Sequence, residues 1–371
     1  MCPPGGMGMA DKNDTIELGN REISRTDFLR FCGMTAFTLG LSSSWTKVIA
    51  EEIQKAVKRP PVIWMHFAEC TGDTESFLRA HNPSVAEIIL EIVSVDYHET
   101  IMAPSGDAAH KSLEECMHNH KGKYLVIAEG AIPTKDNGIY LTIGSKTGLE
   151  LGTEVCRDAL AVLCVGTCSS FGGVQAQAPN PTGAKGVMEA TGLPPEKFVH
   201  LPGCPHNVKN SVATIVHYLL FKNLPELDSY RRPIFAYGEK IHDHCPRRNH
   251  FENGEFVEFY GDAGDRKQWC LYKVGCKGPE TFHNCSKVLW NDGTSWPIGG
   301  GHGCNGCSEK DFWDTMTPFY ERLPDRTPFG RASADKVAAA ATAATAVGIA
   351  AHAAISYKKG RLGKSEEEKK E

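Results

Sequence analysis

Several familiar signatures are missing from this chain. It has no P-loop, no G-x-S-x-G nucleophile elbow, no H-E-x-x-H pair and no EF-hand loop. Nothing therefore points to phosphate cradling, acyl transfer, zinc proteolysis or a calcium switch. A basic surplus is missing too. The net charge is -5, whereas a nucleic-acid binder normally carries clustered positive charge.

Cysteine is what the chain has in quantity, with 14 in 371 residues. A chain this long does not need disulfides to compensate for a small core. Nine of the cysteines, from Cys70 to Cys307, sit in short loop-like strings beside Gly, His or Pro, as cluster or metal ligands do. Cys116, Cys156 and Cys164 lie in helix-like or strand-like sequence and read as packed thiols.

From Pro60 the pattern is α/β. Apolar strand runs at 62–67, 92–97, 124–128, 160–166 and 198–201 alternate with helical stretches such as 85–92 and 146–158. This order predicts a doubly wound parallel sheet with right-handed crossovers. Sites in such sheets form beyond the carboxyl ends of the strands. Cys70, Cys168 and Cys204 each follow a strand run, so three separate segments converge on one edge. After Lys222 the periodicity fades into Gly, Pro, Cys, His and aromatics, a texture that bound clusters can hold together.

Two end segments read differently. Residues 1–50 resemble an export signal region, with Ser24-Arg25-Thr26-Asp27-Phe28-Leu29-Arg30 before an apolar run and Val48-Ile49-Ala50 as a cleavage site. Residues 337–357 carry no acidic or permanently charged side chain and are long enough to span a bilayer. Lys358, Lys359, Arg361 and Lys364 follow, which puts that end on the cytoplasmic side. The charged tail is 358–371. His352 reads as a packing or partner contact.

Three constellations carry chemistry. Cys70-x-x-Asp73, Cys168 and Cys204 offer four ligands from separate loops, as a cubane requires. His242-x-x-Cys245 with Cys270 and Cys276 suits zinc or iron, and His244 competes with His242 for the imidazole position. Cys285 and Cys304-x-x-Cys307 give three thiolates, which suits a three-iron cluster better than a closed zinc site. Gly301-x-Gly303-x-x-Gly306 matches a dinucleotide fingerprint in letters alone, with no strand leading in and no helix following.

Together with Pro61-Val62-Ile63-Trp64, Glu69-Cys70-Thr71-Gly72, Gly166-Thr167-Cys168, Asn180-Pro181-Thr182-Gly183, Pro202-Gly203-Cys204-Pro205, Cys270-Leu271-Tyr272, Gly275-Cys276-Lys277-Gly278-Pro279 and Gly303-Cys304-x-x-Cys307, these strings resemble the small subunit of nickel–iron uptake hydrogenases. The resemblance runs from about Arg25 to Lys364. It implies a flavodoxin-like domain over 60–222 with a proximal 4Fe–4S cluster on Cys70, Asp73, Cys168 and Cys204. It implies a smaller irregular cluster domain over 223–330. That domain would hold a distal 4Fe–4S cluster on His242, Cys245, Cys270 and Cys276. It would also hold a medial 3Fe–4S cluster on Cys285, Cys304 and Cys307, with Pro297 where a fourth cysteine would stand. The resemblance further implies a large subunit with the nickel–iron centre, a membrane cytochrome b or other quinone-linked acceptor, and a location at the periplasmic face of the inner membrane. The other reading is an iron–sulfur subunit of another respiratory redox complex.

Two departures stand out. Asp73 replaces the second proximal cysteine, and Thr26 replaces the second arginine of the family's twin-arginine signal. Gly72 and Gly173 occupy the positions of two further proximal cysteines found in an oxygen-tolerant subgroup.

Overall fold

The computed structural model describes residues 15–18, 21–55, 59–80, 93–291, 293–324, 326–327, 330–331 and 334–359. The helical stretch expected at 85–92 and the tail beyond residue 359 lie outside the described residues.

Five strands form one parallel sheet: β1 (Pro61–His66), β2 (Ser94–His98), β3 (Leu125–Glu129), β4 (Ala161–Val165) and β5 (Phe198–Leu201). Their spatial order is β2-β1-β3-β4-β5, the flavodoxin-like arrangement whose switch point lies between β1 and β3. Both faces are covered, so the inner strands β1, β3 and β4 read as near-continuous apolar runs rather than alternating. On one face Ile63, Met65, Val126, Ala128, Val162 and Cys164 pack with Leu113 and Cys116 of α4 (Asp107–Asn119) and Leu151 and Val155 of α5 (Gly148–Arg157). On the other, Val62, Trp64, Ile127, Leu163 and Val199 pack with Val212, Ile215 and Val216 of α7 (Val208–Phe221). Cys116, Cys156 and Cys164 are buried in the first of these layers, as packed thiols.

Capping fixes the helix starts. Thr147 and Glu150 form a reciprocal capping box at α5. At α7 the Asn207 side chain accepts from the Lys209 N–H. Shorter helices follow two strand ends directly, α3 (Gly72–Leu78) after β1 and α6 (Gly166–Phe171) after β4.

Within the segment expected to be a leader, the described residues include two helices. Residues Arg25–Thr38 form α1 and Trp45–Lys55 form α2, and both pack on α7. Phe28, Phe31, Cys32 and Ala36 recur at helical spacing and are buried, as are Ile49 and Ile53. Burying a large apolar side chain contributes about 1.5–3 kcal/mol, so this layer is a substantial part of the core. The apolar run of a signal and the buried stripe of a packed helix have the same letters. Ile49 and Ala50, expected as part of a cleavage site, are among the buried residues.

The change in texture after Lys222 is not a break in packing, since residues 1–321 form one compact unit. Asn210 and Asn284 exchange side-chain hydrogen bonds across it at 2.9–3.0 Å, and Asn207 Nδ2 donates to Leu289 O at 2.7 Å. Between Lys222 and Glu321 the α-helices among the described residues are four or five residues long. A small core of Ile241, Val257, Leu271, Val274, Trp296 and Ile298 includes the thiols Cys276, Cys285 and Cys304.

The second unit, residues 322–371, contains α8 (Ala334–Lys358). Among the described residues, Ala338–Lys358 is the one helix long and apolar enough to cross a membrane. Val347, Ile349, Ile355 and Tyr357 are all exposed on it.

Candidate functional site

Four strands end in register. His66 lies opposite Glu129, Glu129 opposite Val165, and Val165 opposite Leu201. Just beyond these ends come Cys70, Cys168 and Cys204, and Asp73 follows in the first turn of α3. The three loops thus meet at one edge of the sheet, at its switch point.

Glycine makes the approach possible. A Cβ on Gly166, which has φ +80°, would lie 2.1 Å from Asp73 Oδ2, and one on Gly173 would lie 2.6 Å from Cys168 Sγ. At Gly72 it would come within 3.1 Å of Cys70 Sγ. Gly72 and Gly173 thus each adjoin a different thiol of this edge, Cys70 and Cys168.

Asp73 is buried at this edge. Its Oδ1 accepts from the His206 backbone N–H at 2.6 Å and lies 3.0 Å from His206 Nδ1, while Oδ2 lies toward Gly166. Burial pushes the Cys168 thiol up to about 12, and the negative charges of Cys204 and Asp73 add to the shift. A thiol in such a place ionises readily only when a cation takes up the charge.

Behind Asp73 stands a carboxylate that the sequence alone does not single out. Glu129 is fully buried and accepts from Trp64 Nε1 (3.0 Å), Asp73 N (3.0 Å), Thr74 N (3.1 Å) and Thr74 Oγ1 (2.5 Å). It anchors the N-terminus of α3, where orphan N–H groups favour negative charge. His66 adjoins it, with Nδ1 3.3 Å from Glu69 Oε1 and Nε2 3.3 Å from His98 Nδ1. The one signal for Glu129 is a lone acidic residue closing an otherwise apolar strand run.

His242, Cys245, Cys270 and Cys276 line a cavity together. Burial lowers the pKa of His242, which keeps its imidazole neutral and able to ligate. His244 points elsewhere: its Nε2 pairs with Glu239 at 2.9 Å on the exposed surface. His242 is thus the imidazole that lines this cavity. Burial pushes the Cys270 thiol up to about 11 and raises Cys276 as well.

A second cavity, of about 380 Å³, is lined by Cys285, Cys304 and Cys307, with Pro297 in its wall. Burial pushes Cys285 up to about 12 and Cys304 higher. Cys204, from the sheet edge, lines this same cavity. On its other side the Cys304 N–H donates to Cys276 Sγ at 3.3 Å, and Ile298 lines both this cavity and the first. The three ligand sets therefore form a continuous series from the sheet edge outward. Two thiol-lined cavities, and a glycine-cleared sheet edge where Cys70 and Cys204 stand exposed beside Asp73, suit iron–sulfur clusters. Residues 301–308 contain no helix, so the G-x-G-x-x-G letters form no dinucleotide site.

Comparison with known proteins agrees with this geometry. A family model for the C-terminal region of the NiFe/NiFeSe hydrogenase small subunit matches residues 237–320, and one for the 20 Kd subunit of NADH ubiquinone oxidoreductase matches residues 70–218. The quinone-reactive Ni/Fe-hydrogenase small chain of Wolinella succinogenes is 46% identical over 348 residues, covering 91% of this chain and 97% of its own length. The chain belongs to the nickel–iron hydrogenase small subunits. A periplasmic [NiFe] hydrogenase small subunit of Nitratidesulfovibrio vulgaris is also 46% identical, over 85% of this chain and 98% of its own. The Ni-Fe-Se hydrogenase structure from Desulfomicrobium baculatum superposes with a TM-score of 0.67 at 35% identity, covering 71% of this chain and all of its own. The match at 70–218 covers most of the sheet and its ligand-bearing edge. The match at 237–320 and the full-length relatives set aside the alternative of another respiratory complex. As a hydrogenase small subunit, the chain is the electron-transfer partner of a large subunit that holds the nickel–iron site.

Proposed function

We propose that this chain carries electrons away from hydrogen oxidation along three clusters, one held at the sheet edge and one in each of the two cavities. The proximal 4Fe–4S set is Cys70, Asp73, Cys168 and Cys204. The medial 3Fe–4S set is Cys285, Cys304 and Cys307. The distal 4Fe–4S set is His242, Cys245, Cys270 and Cys276. When bound, such clusters supply one-electron carriers. The observation that carries the proposal is the continuity of the ligand sets. Cys204 lines the medial cavity, and the amide of Cys304 reaches the sulfur of Cys276.

At the proximal site Oδ1 of Asp73 is already held by His206, so Oδ2 is the oxygen that would meet iron. Carboxylate is a harder ligand than thiolate. Mössbauer and EPR spectra of the loaded complex test this, because Asp73→Ala should alter the proximal signals alone. Unchanged spectra would remove Asp73 from the ligand set.

The acceptor we assign is a membrane cytochrome b or another quinone-linked subunit, with α8 as the anchor. The name of the W. succinogenes relative and the small residues of α8, which suit close helix packing, support this. The basic flank after α8 supports a body on the periplasmic side. The Arg25–Leu29 string would serve as the export signal. A reporter fused behind residues 1–60 that stays in the cytoplasm would refute export. The intact mass of the purified chain shows whether the α1–α2 layer is kept or removed.

A further inference from the structure

One medial thiol differs from the others in its surroundings. Cys285 Sγ lies 3.0 Å from His283 Nδ1 and receives the Trp290 indole N–H at 3.3 Å. Two ring nitrogens therefore converge on one sulfur. Cys304 Sγ, by comparison, receives a backbone N–H from Gly306 at 3.4 Å and lies 3.5 Å from the Thr281 hydroxyl.

Both rings are fixed. His283 is buried, stacked on Trp290 with 20° between planes, and edge-on to Tyr237 at 5.0 Å. Trp290 is aimed by a strained turn. Leu289, the residue before it, has φ +54°, a conformation that a bulky L side chain rarely adopts and that persists only where the surroundings enforce it. Asn207 Nδ2 donates to the Leu289 carbonyl, and the Trp290 N–H donates to Ser295 O at 2.7 Å. The backbone is thus tied on both sides of the strained residue.

The donor roles follow from chemistry. Indole nitrogen can only donate. A metal-bound cysteine sulfur has no S–H left, so His283 Nδ1 must carry the proton it presents to Cys285. Nε2 is then a bare acceptor, and among the described residues it finds no hydrogen-bond partner.

We propose that Trp290 and His283 are positioning residues that set the potential of the medial centre by donating two hydrogen bonds to the Cys285 thiolate. The inference rests on the medial ligand set proposed above. Donors to a ligand sulfur stabilise the more negative, reduced state, and they do so strongly where water is excluded. The pair would therefore raise the medial potential above that of the same three thiolates without it, making this centre a ready acceptor.

The test is an EPR-monitored redox titration of the intact heterodimer carrying Trp290→Phe, and separately His283→Phe. Each keeps a ring and removes the donor. Appearance of the oxidised three-iron signal tests the ligand set itself, while its midpoint tests the tuning. We expect the signal to be present and its midpoint to shift to lower potential in each variant, with the proximal and distal midpoints unmoved as internal references. A medial midpoint unmoved in both variants, with the signal intact, would overturn the proposal. So would loss of the signal in both, which would make the rings assembly elements, or an equal shift at all three centres.

Discussion

Replacing Glu129 by Gln tests how the proximal edge is built. Four donors aim at two carboxylate oxygens inside the fold: the Asp73 and Thr74 amides at Oε1, and the Trp64 indole and Thr74 hydroxyl at Oε2. Glutamine can keep its oxygen toward the two amides. Its NH2 then faces the indole N–H, which cannot become an acceptor. The Thr74 hydroxyl can rotate away, but the indole cannot. The substitution loses a hydrogen bond to a charged group, worth about 1.5–3 kcal/mol, and strands a buried donor at a further cost of about 1–3 kcal/mol. The expected loss is about 2.5–6 kcal/mol, read as a lower urea midpoint for the heterodimer. Adding Trp64→Phe removes the stranded N–H, so the double variant should be less destabilised than the sum of the singles. A loss below about 1 kcal/mol for Glu129→Gln, or strict additivity with Trp64→Phe, would refute the argument.

Other outcomes follow from the same structure. His242→Ala should abolish the distal EPR signal, whereas His244→Ala, whose ring pairs with Glu239 on the surface, should leave it intact; equal effects would contradict the assignment. Acid should destabilise the fold through His98 and His200. Burial lowers their pKa values from 6.5 to about 3 and about 4, so both stay neutral in the fold while the unfolded chain takes up protons below pH 6.5. Their contribution is complete above pH 6.5 and falls away toward pH 3–4. The two together make stability at pH 5 roughly 4 kcal/mol lower than at pH 7, and a urea midpoint flat between those pH values would contradict this. A chain ending before Ala334 should release the complex from membranes in a flotation assay while leaving hydrogen-dependent dye reduction intact; continued flotation would assign the anchor elsewhere.

Much of this architecture is legible in the residues because apolar strand runs and Gly-flanked cysteines are local signals. The runs at 62–67, 124–128, 160–166 and 198–201 fall on β1, β3, β4 and β5. Placing Cys70, Cys168 and Cys204 past strand ends is enough to bring them together. What stays hidden depends on geometry between distant segments. The apolar run at 124–128 stops one residue short of Glu129, whose role appears only once register sets it opposite His66 and beside α3. Spacing alone cannot separate His242 from His244, because both lie within reach of Cys245 and only their orientation differs. The donors to Cys285 arise from a turn at Leu289 that no propensity predicts. Residues 1–50 read as an export signal region, and the packing of Arg25–Thr38 and Trp45–Lys55 on α7 stays hidden because an apolar stripe at helical spacing fits both a signal and a packed helix.

The most direct test of the central claim is metal analysis of the natively purified complex, with hydrogen-dependent dye reduction measured on the same sample. Two four-iron clusters and one three-iron cluster predict about eleven irons per small subunit, with nickel in the co-purifying large subunit and dye reduced only when hydrogen is supplied. Zinc in place of iron, or iron without nickel and without hydrogen-dependent reduction, would contradict the account.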